Sequence, residues 1–445
     1  KWVIRERVRS QTMQVDTILQ KLIQFDTTNP PGNEKACIEF IRNLLQEAGL
    51  ESQIYAKDEN RPNLVCRIRG AGQAPPILVY GHVDVVTTKD QHWTHPPFEG
   101  KIADGFLWGR GALDMKGGVA MMIAAMIKLK EEEVMPAGDV IFLALSDEEA
   151  FGEYGANYMV AEHPEVFNGV KYALGEFGGF NITLSGKRFY PIQVAEKQSC
   201  QIKITAQGPG GHGSSIVQGN AMGKLGDVLT KLSNARLPFH ETAPVRQMIE
   251  QMAAAFSFPM NLGIKMLLIP MLSGFLLKQL GGVGNAFLPM FHNTVNATIV
   301  RGGEKINVVP SEVAVWLDGR MLPGFESDMF IEEIKALVSQ EGVRVEVSKY
   351  DPGPSTIDMG LFDHLAGILK TLDPDGVPVS YLLAAVTDGR ILARLGIQFY
   401  GFIPMKLPEG FEFFSLAHAA DERIPVEALS FGVEGIYQAL KTYKG

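Results

Sequence analysis

Cysteine is scarce in this 445-residue sequence. Its three residues, Cys37, Cys66 and Cys200, are odd in number and far apart. That excludes a disulfide framework or a CxxC metal knuckle and leaves buried free thiols as the reading. Long hydrophobic runs are absent too. The most apolar stretch, Met266 to Leu277, is bracketed by Lys265 and Lys278 and falls short of the ~20 residues a membrane-spanning helix needs. No block carries one sign of charge: 41 Lys and Arg stand against 50 Asp and Glu, a net charge of -9. Without a basic stripe the chain is not expected to bind nucleic acid. Lys-Trp-Val-Ile-Arg-Glu at the start has neither the apolar core nor the small-residue cleavage site of a signal peptide. The expectation is therefore a cytoplasmic protein, although a trimmed secreted one would read the same.

What is present is alternation. Val15, Ile18, Leu19, Leu22 and Ile23 recur at helical spacing, and a second helix buries Ile38, Ile41, Leu44 and Leu45. Apolar runs at Asn63–Ile68, Ile77–Tyr80 and Val140–Leu145 have the length and β-branched content of buried strands. A helix over Gly118–Leu129 links the last two as a crossover. That is an α/β architecture, a mixed sheet flanked by helices. From Lys197 the character changes: four strand patterns (Gln201–Ala206, Thr294–Val300, Glu312–Leu317, Val343–Val347) and helices near 220–232 and 329–338 predict an inserted α+β domain. The expected division is 1–196 with 351–445 for one discontinuous domain and 197–350 for the other. A strand near 398–401 and a last helix over 426–442 return to the first. Within the insert, 239–290 is rich in Met, Leu and Phe. It reads as an extra core layer or dimer contact, or as an apolar lid over a lipophilic group.

Chemistry-bearing residues gather at predicted strand ends. In Gly-His-Val-Asp-Val-Val, His82 and Asp84 are i and i+2, on one face of a strand. Asp84 can then hold the imidazole while its other nitrogen binds metal. Asp114, in Gly-Arg-Gly-Ala-Leu-Asp-Met-Lys-Gly-Gly, stands where a helix begins and reads equally as a helix cap or a ligand. Asp147, Glu148 and Glu149 follow one apolar strand, and Glu176 follows another. Adjacent strand residues face opposite ways, so Glu148 and Glu149 are expected to have different tasks. Crowded carboxylates need a cation or solvent to compensate them. With His418 far along the chain, the set suits a two-metal hydrolytic site of His and carboxylate ligands.

These blocks, with His95-Pro-Pro-Phe-Glu-Gly and Asp-Glu-Glu-Ala, resemble the signatures of the M20 metallopeptidases. That family includes aminoacylases, carboxypeptidases, acetylornithine deacetylase and succinyl-diaminopimelate desuccinylase. The resemblance runs from Phe25-Asp-Thr-Thr-Asn-Pro-Pro to Asp421-Glu-Arg and implies a zinc-peptidase-like catalytic domain with an inserted dimerisation or lid domain. It implies two divalent metals, zinc before cobalt or manganese. His82 and Glu176 would hold one, His418 and Glu149 the other, and Asp114 would bridge them. At the Glu176 position other members carry Asp, and Glu153 and Glu165 are its rivals. Glu148 would be the general base on a metal-bridging water, and the peptide Asp114–Met115 would be cis. In the inserted domain, His212 would face the scissile carbonyl, Arg320 would clamp a substrate carboxylate, and Asn307 would lie beside them. Thr387 and Gly389, in Thr-Asp-Gly-Arg, would close the far side, with Arg390 either in that loop or in a surface salt bridge.

The expected function is hydrolysis of N-acyl amino acids with a hydrophobic or aromatic group, by a homodimer acting on small amides with a free carboxylate. The alternatives are a carboxypeptidase or dipeptidase on the same residues, a deacylase of a biosynthetic intermediate and, from another class, an inactive binding protein on this fold. The insertion's resemblance to the long-chain N-acyl amino acid hydrolase branch favours the lipophilic reading.

Overall fold

The computed structural model describes residues 13–445 except 235, 280–283, 285, 286 and 355. By internal packing the chain forms two units. One takes residues up to Tyr190 with Asp363–Gly376 and Tyr400–Gly445; the other takes Pro191–Phe362 and Val377–Phe399.

The first unit is built on strands in the order Ser52–Tyr55, Asn63–Ile68, Val140–Leu145, Ile77–His82 and Tyr172–Gly175. The first three pair antiparallel and the last three parallel, so the sheet is mixed. The strands Ile77–His82 and Val140–Leu145 are buried along their whole length, which is why they read as unbroken apolar runs rather than as alternation. Their crossover is the helix Lys116–Glu131, which packs on both strands and on the helices Val15–Ile23 and Val426–Lys441. It lies close to the sheet at Gly81, where a Cβ would stand 2.6 Å from the Met115 side chain. His82 pairs with Leu145, and Val79 with Leu174. The three parallel strands therefore end together, and the loops leaving their carboxyl ends form the crevice where open α/β sheets carry ligands.

The second unit contains a four-stranded antiparallel sheet in the order Thr294–Gly302, Glu312–Met321, Gln198–Gln207, Val343–Asp351. Helices Ala221–Asn234 and Ser327–Val338 cover one face. Ile202, Ile204, Val315, Leu317, Val228 and Ile334 form the core between them. The apolar insertion is helical, with Ala243–Ala254, Met260–Lys265 and Pro270–Gln279. The first of these packs on the strand Val377–Leu383, and part of the segment's far end lies outside the described residues. All three cysteines are free and buried, and no described helix is long and apolar enough to cross a membrane.

Two local expectations fail. Glu148–Ala150 is a 3-10 turn, not strand: Asp147 takes a left-handed φ of 74° and ends the extended backbone. The opposite-face rule for strand neighbours does not apply there. Asp114 does not cap the following helix, whose cap position is Met115 with no side-chain cap bond; its carboxylate is held by histidines instead.

Candidate metal centre

His82, Glu149 and Glu176 come from the ends of the parallel strands or the segments that leave them, Asp114 stands just before the crossover helix, and His418 comes from the C-terminal loop of the same unit. His82 is the last residue of its strand, and Glu176 directly follows Gly175. The Asp114–Met115 peptide is cis. His82 Nε2 lies 3.2 Å from Asp114 Oδ1 and 3.5 Å from Glu176 Oε2. On the other side of Asp114, His418 Nε2 lies 3.0 Å from Oδ2 and 3.2 Å from Glu149 Oε1. Two triads, His82–Asp114–Glu176 and Asp114–Glu149–His418, thus share one carboxylate, with the ligand atoms of each within 4.8 Å of one another.

The chemistry of these donors fits a cation. His82 Nδ1 lies 3.0 Å from the Asp84 carbonyl oxygen and 3.5 Å from its carboxylate. With its proton donated there, Nε2 presents a lone pair to two carboxylate oxygens. Only a proton or a metal ion can satisfy three acceptors so placed. The electrostatics agree. Burial alone would lower the His82 pKa, but the hydrogen-bonding carboxylates of Asp114, Asp84 and Glu176 outweigh it and hold it well above the ordinary value. The Asp114 and Glu149 carboxylates push His418 up to about 10. Burial opposes ionisation of Asp114, yet the two histidines hold its pKa well below the usual range. Burial raises Glu149.

A further set of residues braces the cluster. The Asp84 carboxylate accepts the backbone N–H groups of Glu148 and Glu149, each at 3.1 Å, and the Asn29 amide at 2.8 Å. One buried side chain therefore fixes both the His82 ring and the turn carrying the glutamates. The Asn29 amide also reaches Asp147 at 3.0 Å. Glu422, fully buried, accepts the N–H groups of Gly111, Leu113 and Asp114 and pairs with Arg110 at 2.7 Å. Arg110 in turn donates to the His418 carbonyl at 3.1 Å. Asn29 and Glu422 escaped the sequence reading. Their signal was slight: an Asn before two prolines, and an acid beside Asp421 in a segment read for its histidine.

Glu153 and Glu165 lie outside the cluster, paired with Lys57 at 2.9 Å and with His163 at 3.3 Å. Beside Asp114 and Glu176 lies a small apolar crevice, about 10 Å³ in volume, lined by Leu113, Phe177, Phe180, Ile403, Met405 and Phe413. The Phe180 and Phe413 rings stack there with centroids 4.0 Å apart.

The remaining predicted residues belong to the second unit. His212 is exposed in a two-residue strand paired with Val308–Val309, its Nδ1 2.7 Å from the Ser214 hydroxyl. The Asn307 carbonyl accepts the Gly213 N–H at 2.8 Å, tying these two loops together. Arg320 holds Asp318 through Nε at 3.0 Å. Thr387 is buried, its hydroxyl donating to Glu196 at 2.8 Å and accepting the Gly389 N–H at 3.0 Å. Gly389 packs on the Phe399 ring. Arg390 is also buried and pairs with Asp351 at 2.9 Å.

The chain is 28% identical over 390 residues to a probable carboxypeptidase S-like 2 of Dictyostelium discoideum, covering 82% of this chain and 71% of that protein. It is 28% identical to a probable succinyl-diaminopimelate desuccinylase of Staphylococcus epidermidis, covering 84% and 85%. It is 27% identical to the human N-fatty-acyl-amino acid synthase/hydrolase PM20D1, covering 82% and 74%. Among solved structures, an M20 family metallo-carboxypeptidase from Sulfolobus solfataricus shares the fold with a TM-score of 0.69 at 16% identity, over 97% of this chain and 99% of that one. A dinuclear metal binding peptidase of the M20 family from Bacillus subtilis does so with a TM-score of 0.60 at 15% identity, over 96% of each chain. The family model for peptidase family M20/M25/M40 matches residues 78–442, and the chain belongs to that family of amide-bond hydrolases.

Proposed function

We propose that the protein hydrolyses N-acyl amino acids whose acyl group or side chain is hydrophobic, at a two-metal centre with Glu148 as general base. The observation that carries this reading is Asp114, a buried carboxylate with a histidine nitrogen within about 3 Å of each of its oxygens. His82 and Glu176 would hold one cation, His418 and Glu149 the other, and Asp114 would bridge. Two divalent ions there would lower the pKa of the attacking water and polarise the scissile carbonyl.

The chain's own groups do the rest. Asp84 orients the His82 ring and, through the backbone N–H groups of residues 148 and 149, fixes the turn that presents Glu148. Glu148 takes a proton from the attacking water and returns it to the leaving nitrogen. His212 donates to the developing oxyanion and Arg320 receives the substrate carboxylate, exchanging Asp318 for it, with Asn307 beside them. The second unit serves as the dimerisation and lid element of a homodimer.

The hydrophobic preference rests on the likeness to an N-fatty-acyl-amino acid synthase/hydrolase; the aromatic crevice beside Asp114 and Glu176, about 10 Å³ in volume, has room for no more than a water molecule and supplies only an apolar lining. The test is a matched panel on metal-loaded and chelated protein: short- and long-chain N-acyl amino acids, aromatic ones and simple dipeptides. Chelator-sensitive cleavage favouring the long or aromatic acyl compounds supports the proposal. A preference for dipeptides moves the protein to the peptidase reading, and no cleavage sinks both.

A further inference from the structure

The stretch 251–290 contains no Asp or Glu, and its only charges are Lys265 and Lys278. This is unusual in a chain with 50 acidic residues among 445. The helix Ala243–Ala254 forms the floor of this region, burying Val245, Met248, Ile249 and Met252. The helices that follow are inside out. Pro270–Gln279 buries Ser273 and Leu277, while Met271 is 91% and Phe275 64% exposed. The buried Ser273 hydroxyl has no hydrogen-bond partner among the described residues. Met260–Lys265 buries nothing; Met260 and Leu262 are about half exposed, and Phe258 just before it is 77% exposed. Ile269 adds a sixth exposed apolar side chain.

A helix in water turns its polar side outward; Pro270–Gln279 does the reverse, and Met260–Lys265 leaves its apolar side chains uncovered. Six such side chains, all between Phe258 and Phe275, together expose on the order of several hundred Å² of apolar surface. The short, Pro- and Gly-interrupted helices cannot span a bilayer, but their exposed apolar side chains can enter its boundary. Exposed Lys265 and Lys278 supply cations with no acid nearby in sequence. That charge matches a phosphate-bearing surface rather than the mixed polar rim of a protein interface.

We propose that the face made by Phe258, Met260, Leu262, Ile269, Met271 and Phe275, with Lys265 and Lys278 among them, docks the protein on an anionic phospholipid surface. The apolar side chains enter the acyl boundary and the two ammonium groups meet the headgroup phosphates. The inference stands independently of the amide-hydrolysis reading, since docking requires no turnover.

The experiment is co-sedimentation of the full chain with phosphatidylcholine vesicles, with and without phosphatidylserine, alongside light scattering of the free protein. Binding is expected to need phosphatidylserine and to weaken in high salt. Combining Phe258→Ser, Met271→Ser and Phe275→Ser should weaken it by at least about tenfold while leaving the fold intact, because all three side chains are exposed. Lys265→Glu and Lys278→Glu should each cost roughly fivefold. Failure of the wild-type protein to sediment with phosphatidylserine vesicles overturns the proposal, as does binding that the triple serine variant retains. If the triple variant instead converts a dimer to monomer and the wild type binds no vesicles, the face is a self-association surface and the proposal falls.

Discussion

Glu148 and Glu149 are neighbours in sequence with separate tasks, and the 3-10 turn is what separates them. Glu149 faces His418 at 3.2 Å, whereas the Glu148 carboxylate is proposed for proton transfer. Glu148→Gln keeps the shape and removes the basic oxygen. It should lower kcat by about three orders of magnitude with two metals per chain still found by elemental analysis; loss of metal would instead make Glu148 a ligand. At Arg320 the guanidinium is part-exposed and already neutralised by Asp318 at 3.0 Å, so a substrate carboxylate must compete for it. Arg320→Ala should raise KM by roughly tenfold to a hundredfold for free-acid substrates, by loss of a charge-assisted pair, and leave esterified ones unchanged. Equal effects on acid and ester would refute the clamp. His82, Glu149 and Glu176 were legible because few structural demands place such residues at the ends of buried strands, whereas Asp114 and His418 took their roles from the family resemblance. Glu422 was not, because its work is to accept backbone N–H groups from residues 111–114, a task that leaves no spacing pattern.

At the scale of elements, strands such as Ile77–His82 and Val140–Leu145 and helices such as Val15–Ile23 followed from periodicity because burial on both faces or on one stripe dictates it. The strands Lys187–Glu196 and Val377–Leu383 and the helix Phe362–Leu372 were not read. Nor was the Glu148–Ala150 turn, since a single left-handed residue at Asp147 reverses the chain without a glycine to announce it. The inside-out helix Pro270–Gln279 was legible as apolar but not as exposed, because composition alone does not say which face meets water. Elements also carry the acid sensitivity of the first unit. Arg188 and Tyr190, in the strand Lys187–Glu196, grip Asp373 just past the helix Phe362–Leu372, at 2.7 and 2.8 Å. Arg188, against the cost of burial, holds the Asp373 carboxyl at about 2. A depressed carboxyl stabilises the fold above its unfolded pKa of about 4 and loses that contribution as pH falls from about 4 through 2. With solvent screening of part-exposed Arg188 the effect is on the order of 1 kcal/mol. Asp373→Asn should therefore lower the unfolding free energy at pH 6 by about that amount, and the gap should narrow toward pH 2.5 in urea titrations. A gap that stays constant with pH would show that packing, not charge, is the contribution lost.

Across the whole molecule, the division into two units allots the chemistry unevenly: both metal triads lie in the first, and His212, Asn307 and Arg320 in the second. Asp84, Asp114 and Glu176 are buried within the first unit, with Glu149 beside them. Without a cation, protonation of His82 and His418 relieves part of their mutual repulsion, which the raised pKa values of the two histidines express. Metal ions held by the folded centre and not by the unfolded chain would stabilise the unit that holds them by mass action, about 3 kcal/mol at a hundredfold excess over Kd. Calorimetry of chelated and reloaded protein should show the melting of the first unit rising by roughly 5–10 °C on reloading. Zinc should act more strongly than cobalt, and cobalt more than manganese, for these imidazole and carboxylate donors. Glu148→Gln should show the same shift, because its carboxylate is not among the proposed ligands, whereas His418→Ala should lose part of it. A melting profile that reloading leaves unmoved would mean that the shared carboxylate at Asp114 holds protons rather than metal, and the hydrolytic reading would fall with it.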